Sequence, residues 1–266
     1  MADNASIGTM IIQVIIVILG LVGLYYLYQY LFSSTTASVA LITGKKDATS
    51  YGAGLAVSGA SIPPIYLGGT FSVSTWININ NFGFHSGMNK SILRIGGDNY
   101  DTLRIYLGPT ASQLMVRFDT HQGASDTANK LAKNDGTFST NSTNFVPQTI
   151  ATTPMSSGGS NACDVLQIDL QRWVHIVVAV NGMTCDLYID GKLARSCVLN
   201  NYFNVDTGYK AHILDNGGFG GFISTTTMYA QALSPDLVYQ IYMATPEPIT
   251  NFASYLASFF SPTAAY

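Results

Sequence analysis

Residues 172–199, RWVHIVVAVNGMTCDLYIDGKLARSCVL, decide how the rest of the chain is read. Val174, Ile176, Val178 and Val180 alternate with His175, Val177 and Ala179, the two-residue period of a strand in a sheet. A turn at Asn181-Gly182 leads into a second strand, in which Leu187 and Ile189 keep the alternation. Asp190-Gly191 is the dipeptide that most strongly marks a tight hairpin, and a third strand runs on to Leu199. The expectation is an antiparallel β-meander. Cys185 and Cys197 lie at equal distances either side of Gly191. A three-residue loop at 190–192 makes them face each other, whereas a two-residue loop puts Ser196 opposite Cys185. Opposed Cβ atoms, ~4.5–5.5 Å apart, are a little wide for a disulfide but can close at a non-hydrogen-bonded pair. Cys185–Cys197 is the candidate bridge, with Cys163 left over and able to pair with either. Three cysteines point to no particular redox compartment.

Upstream, residues 39–43 and 54–57 read as short strands around the Lys45-Lys46-Asp47 turn. Phe71, Val73, Thr75, Ile77 and Ile79 share one face of a longer strand, and Trp76 points to the other. Strands follow at 92–95, 103–107 and 114–118, joined by Gly-Gly-Asp and Gly-Pro turns. In the middle one, Leu103, Ile105 and Leu107 oppose Arg104 and Tyr106, which describes a sheet with one polar face. Residues 120–161 are rich in Ser, Thr, Asn and Gly, and a loop of that length inside a domain is usually functional or disordered.

Only 10% of the 266 residues are charged, well below the usual ~25%. A net charge of −3 without a basic cluster argues against nucleic acid, whose phosphates require Lys/Arg patches. No charged side chain occurs between Asp3 and Lys45. Within that gap, residues 10–32 contain only Gln13 and Gln29 as strongly polar side chains. At ~1.5 Å per residue this run slightly exceeds a ~30 Å hydrocarbon core, which predicts a transmembrane helix. Ile11, Leu19, Leu24, Tyr26 and Tyr30 stand for its anchoring surface, with tyrosines gathered at the end like an aromatic belt. A cleaved signal peptide with a site at Ser38-Val39-Ala40 fits less well, because the run is too long and no basic segment precedes it.

The expected layout is a tail at 1–9, a transmembrane helix at 10–32, a polar linker at 33–37, a β domain at 38–245 and an apolar tail at 246–266. In that tail Phe252, Tyr255, Leu256, Phe259 and Phe260 recur with Ile249 at helical spacing. The stripe suits packing on its own domain, or docking on another subunit or a membrane surface.

Trp173, one residue, His175, an apolar strand, a turn and LYIDGKL at 187–193 resemble the laminin-G-like domains of the concanavalin-A-like lectin/glucanase superfamily. Residues 71–77, FSVSTWI, look like that family's early core strand, and residues 220–242 look like its closing strand and the start of a short helix. The resemblance implies an all-β fold, an antiparallel jelly-roll β sandwich; the hydropathy pattern adds the transmembrane helix before it and a short apolar C-terminal helix after it. It implies little about activity, since one fold hosts many.

The superfamily includes glycoside hydrolases, which need a pair of carboxylates. The resemblance implies two glutamates on one strand, but this chain has a single glutamate, Glu247, between Pro246 and Pro248. No catalytic residue is expected. His175 matches a structural position of the family, and His85, His121 and His212 lack metal-ligand spacing. Calcium is the one cofactor the resemblance suggests, through Asp98, Asp101 and Asp215, although Thr225, Thr226 and Thr227 stand where the family carries acidic residues.

An anchored, charge-poor sandwich of this composition resembles virion membrane or minor capsid proteins of large DNA viruses. The implied function is a non-catalytic structural protein, a single-pass membrane protein of the virion that tethers a protein shell or capsid to a lipid bilayer. The alternative is a surface lectin that binds glycans, stacking sugars on Tyr100, Tyr106 or Tyr202. Asn89 and Asn141 fit the glycosylation pattern.

Overall fold

Asp190 and Gly191, at φ 51° and 74°, form the hairpin turn expected in the 172–199 stretch, with two residues of the two or three that the sequence allows. In this computed structural model, which describes residues 3–32, 37–49, 55–121, 162–244 and 246, three strands run through that stretch. They are β9 (Trp173–Asn181), β10 (Thr184–Ile189) and β11 (Lys192–Val198), paired antiparallel in that order. Ile189 pairs with Lys192, so the loop has two residues, yet Cys185 still lies opposite Cys197. A bulge between Leu187 and Tyr188 supplies the missing step, one extra residue on β11.

The meander extends one sheet through β4 (Thr70–Asn81), β13 (Gly220–Tyr229) and β1 (Ser38–Ile42), in the order β1-β13-β4-β9-β10-β11. The short β2 (Lys46–Asp47) also pairs with β13. A second sheet has the order β3 (Leu55–Ser58), β12 (Lys210–Ile213), β5 (Lys90–Gly96), β6 (Asp101–Leu107), β7 (Leu114–Phe118) and β8 (Ala162–Val165). Every pairing described within either sheet is antiparallel.

The alternating residues meet between the sheets. Phe71, Val73, Ile77 and Ile79 of β4 and the alternate valines of β9 join Leu103, Ile105, Leu107, Leu114, Val116 and Phe118 in one buried cluster. Phe71 meets Phe203 edge-on, with ring centroids 5.3 Å apart. Burial at ~25 cal/mol per Å² of apolar surface is the main stabilising term in such a core.

The disulfide differs from the sequence expectation. Cys197 bonds Cys163, not Cys185, across a Cα separation of 5.8 Å. Cys163 on β8 approaches from the facing sheet at ordinary disulfide distance, whereas a partner directly opposite on the neighbouring strand is wide for a bond. The bridge therefore ties the edge strand of one sheet to the edge strand of the other. Cys185 remains a buried thiol, and burial pushes its pKa up.

The outer face of the first sheet is closed by α2 (Pro235–Met243). Ser234 caps it by accepting from the Leu237 N–H, and Pro235 opens the first turn. Val238 packs with Leu233 on Val177, Ala179 and Tyr188. Tyr242 stacks on Trp76 with centroids 5.7 Å apart, which accounts for the outward direction of that tryptophan.

The chain divides into two units, Met1–Thr36 and Ala37–Tyr266. The first contains α1 (Asp3–Phe32), whose side chains are described over 12–27 and are exposed throughout. The expected membrane-spanning helix and single-pass localisation are corrected here. Among the described residues no helix is long and apolar enough to cross a membrane. Side-chain exposure is described for the run 12–27 alone. Leu19, Leu24 and Tyr26 lie on this run, while the side chains of Ile11 and Tyr30 and the tail residues Phe252, Tyr255, Leu256, Phe259 and Phe260 lie outside the described residues.

Candidate functional site

The outward positions of the second sheet are not the wet polar face that alternation predicts. His212, Arg94, Arg104 and Arg117 stand in register on four adjacent strands, β12, β5, β6 and β7. The three arginines are buried, at 6%, 3% and 6% relative exposure. Like charges directly opposed across strands repel, and three aspartates offset them. Arg94 donates from Nε to Asp215 and from Nη1 to Asp101, each at 2.7 Å. Arg104 donates to the other oxygen of Asp101. Arg117 grips Asp164 with both terminal nitrogens, the second at 3.0 Å. Buried carboxylates held by guanidinium forks are charge-assisted and geometrically fixed.

This lattice bears directly on the candidate calcium ligands. Asp101 and Asp215 are joined through Arg94, so a guanidinium occupies the space between them where a cation would sit. Asp98 lies instead in the β5–β6 turn, its N–H donating to Thr207 O at 3.0 Å. Among the described residues no group of three acidic, histidine or cysteine side chains is placed to hold a metal ion. Asp206 organises that turn, accepting from the Tyr100 and Thr207 N–H groups at 2.9 and 2.8 Å and from Asn99. Burial opposes its ionisation, but those hydrogen bonds outweigh it and hold the carboxyl below its ordinary range.

His175 is buried, with Nε2 2.9 Å from Ser74 Oγ and its ring 4.7 Å from Trp76. Burial lowers its pKa to about 4, despite the opposing field of Asp190. It is a neutral packing residue under α2. Cys185 and His212 lie on different sheets from one another. His212 faces Asp215 at 3.8 Å, and burial, then Arg94, lowers its pKa.

The three tyrosines named as sugar platforms part company. Tyr106 is fully buried beside Arg117, and burial raises its pKa to about 12. Tyr100 is half-buried in the β5–β6 turn. Tyr202 alone is exposed, at 48%. Tyr66, at 67%, is a further exposed aromatic on the same rim that periodicity could not reveal, because it lies in the turn before β4 and outside any strand. Asn89 is buried, so its glycosylation pattern is closed to modification in the folded domain; Asn141 lies outside the described residues.

A profile of the concanavalin A-like lectin/glucanases superfamily matches residues 137–238. The antiparallel β sandwich is consistent with that fold. Among solved structures, the binding domain of botulinum neurotoxin serotype D aligns over 68% of this chain and 36% of its own, at 15% identity and a TM-score of 0.45. The binding domain of Paraclostridial Mosquitocidal Protein 1 aligns over 79% of this chain and 48% of its own, at 14% identity and a TM-score of 0.42. Domain 4 of a GH43 extracellular arabinanase from Geobacillus stearothermophilus, in complex with arabinotriose, aligns over 70% of each chain, at 15% identity and a TM-score of 0.42. The chain thus spans 36% and 48% of the two toxin domains. No curated protein matches it.

Proposed function

We propose that this chain is a non-catalytic interaction protein whose β sandwich is a binding module. One observation carries the reading. The aspartates on the outer face of the second sheet, Asp101, Asp164 and Asp215, are each committed to an arginine. Hydrolysis of a glycosidic bond needs one carboxyl to give a proton while the other stays free to attack or activate water. A carboxylate whose oxygens are gripped by a guanidinium fork is sterically engaged and not free to meet a substrate, so it serves neither role. The only glutamate, Glu247, sits between two prolines. The test is incubation of the purified full chain with a panel of oligosaccharides. Unchanged substrates are expected, and release of shorter products would overturn the proposal.

The partner in this reading is a protein assembly, such as a shell or capsid layer, with α1 as the attachment element. Leu19, Leu21, Leu24 and Tyr26 are 63–65% exposed, and apolar side chains point out on every side of this helix. A helix apolar all round is stable in water only when something covers it. Cross-linking mass spectrometry on native material, read from Lys46, Lys192 and Lys210, tests this: repeated links to one abundant protein are expected. Links to no other protein would reject it.

A second reading, recognition of glycans, is favoured by the exposed rim tyrosines Tyr66 and Tyr202. Tyrosine presents a broad apolar face and a polar tip together, which suits a ligand that is itself amphipathic.

A further inference from the structure

Three segments meet at the end of the sandwich where β4 begins and β9 turns into β10. They are residues 66–70, 181–184 and 199–203. Backbone hydrogen bonds lock them together: Gly182 N–H donates to Gly69 O at 3.1 Å, Gly69 N–H to Tyr66 O at 2.9 Å, and Leu199 N–H to Met183 O at 2.7 Å. Tyr202 is pinned in turn. Its carbonyl accepts from His121 N–H at 2.7 Å, and its own N–H donates to Asn201 Oδ1 at 2.8 Å.

The ring of Tyr202 lies against glycine backbone. A Cβ at Gly68 would stand 2.8 Å from the ring, and one at Gly182 would stand 3.6 Å from it. Gly68 also has φ +65°, so both space and backbone conformation require glycine there. The ring is therefore seated from behind while 48% of the residue stays open to solvent. Tyr66, 67% exposed, lies against the next glycine, Gly69, where an added Cβ would stand 3.5 Å from the Tyr66 Cβ.

The surroundings are polar without being charged. None of the three segments contains Asp, Glu, Lys or Arg, and Asn181, Thr184 and Asn200 are exposed within them. A fixed aromatic face costs little ordering entropy on binding, which favours a ligand that stacks. Amide and hydroxyl groups alongside favour one that also carries hydroxyls. A nucleotide or an acidic peptide would bring charge to three segments that offer no counter-charge. A neutral sugar ring satisfies both requirements, with C–H groups on its face and hydroxyls around its edge.

We propose that Tyr202, with Tyr66 beside it, is a stacking platform for neutral oligosaccharides at this rim. The inference deepens the glycan reading above and rests on it. The experiment uses the full chain in a zwitterionic detergent that has no sugar headgroup. Neutral gluco-, manno-, galacto- and arabino-oligosaccharides are screened on an array, and the best ligand is titrated calorimetrically.

Saturable binding is expected, weakened roughly tenfold in Tyr202→Ala, the loss anticipated for one stacked ring. Gly68→Ala, which displaces the ring without deleting it, is expected to weaken binding similarly. Tyr239→Ala is the control, because Tyr239 is equally exposed, at 50%, but sits on α2. Unchanged affinity in Tyr202→Ala, or no binding across the array, overturns the platform and leaves the non-catalytic reading intact. Cleavage of a ligand whose binding still depends on Tyr202 supports the platform and rejects the non-catalytic reading instead.

Discussion

The two outer faces of the sandwich are closed in opposite ways. On the first sheet, Val177, Ala179 and Tyr188 lie under Leu233 and Val238, and Tyr242 covers Trp76. On the second, arginines and aspartates interlock across four strands. Both faces bury their side chains, but they fail differently. An apolar face loses stability in proportion to the area uncovered. A lattice of buried charges tolerates replacement of a whole pair far better than removal of one partner.

The largest expected effect breaks the charged face. Asp101→Ala takes the Asp101 carboxylate from buried Arg104 and leaves buried Arg94 with Asp215 alone, and urea unfolding should show a loss of about 3–5 kcal/mol. Replacing Arg117 and Asp164 together by Met and Leu should cost far less than Asp164→Ala alone. Equal losses in those two variants would mean that the face is held by packing rather than by charge.

The bridge between the sheets comes next. Cys163→Ser removes the Cys163–Cys197 bond, and a loss of about 2–4 kcal/mol is expected in thermal or urea unfolding. Cys185→Ser should leave the bond in place, as peptide mapping without reductant would show. Recovery of a Cys185–Cys197 peptide from the unaltered chain would reverse the assignment.

The apolar face should carry its own pH signature. His175 titrates near 6.5 when unfolded and at about 4 when folded, because α2 and the sheet bury it. Between those values the unfolded state binds the extra proton, so stability rises with pH. The contribution is complete above about pH 6.5 and is lost as pH falls through about 4, on the order of 3 kcal/mol. His175→Gln should flatten that part of the curve. An unchanged slope would place the titration elsewhere.

The smallest effect concerns the cap of α2. Ser234→Ala removes the acceptor for Leu237 N–H and should cost about 1 kcal/mol. It should also raise hydrogen exchange in α2 while leaving exchange in β5 and β6 unaltered, which would separate the two faces directly.

The apolar face was largely legible in the sequence, and the charged face was not. Alternation placed Phe71, Val73, Ile77 and Ile79 in the core and turned Trp76 outward, because strand geometry is a local property with a fixed period. The resemblance over residues 220–242 likewise implied the start of the helix that covers the tryptophan. Arg104 read as a solvated residue because its burial depends on Asp101, and that of Arg94 on Asp215, far along the chain. Periodicity reports which side a residue faces and says nothing about what covers that side.

The same limit governed the cysteines. Register put Cys185 opposite Cys197, but the bonded partner came from the other sheet, which no hairpin rule addresses. Tyr202 stands out by residue type alone, whereas Tyr66 lies in a turn, and a turn carries no period at all. The apolar run near the N-terminus did form a helix, but among the described residues no helix is long and apolar enough to cross a bilayer.

The bridge has a mechanical consequence. Cys163 and Cys197 are separated by 34 positions, a span that includes all of β9 and β10. When the chain is stretched from its ends, tension passes through the sulfur atoms and bypasses that whole segment. At ~3.3–3.6 Å per residue, ~110–120 Å of contour stays hidden until a reductant is added. The meander that defines the fold is thus a shielded loop, folded and unloaded while everything outside it bears the force.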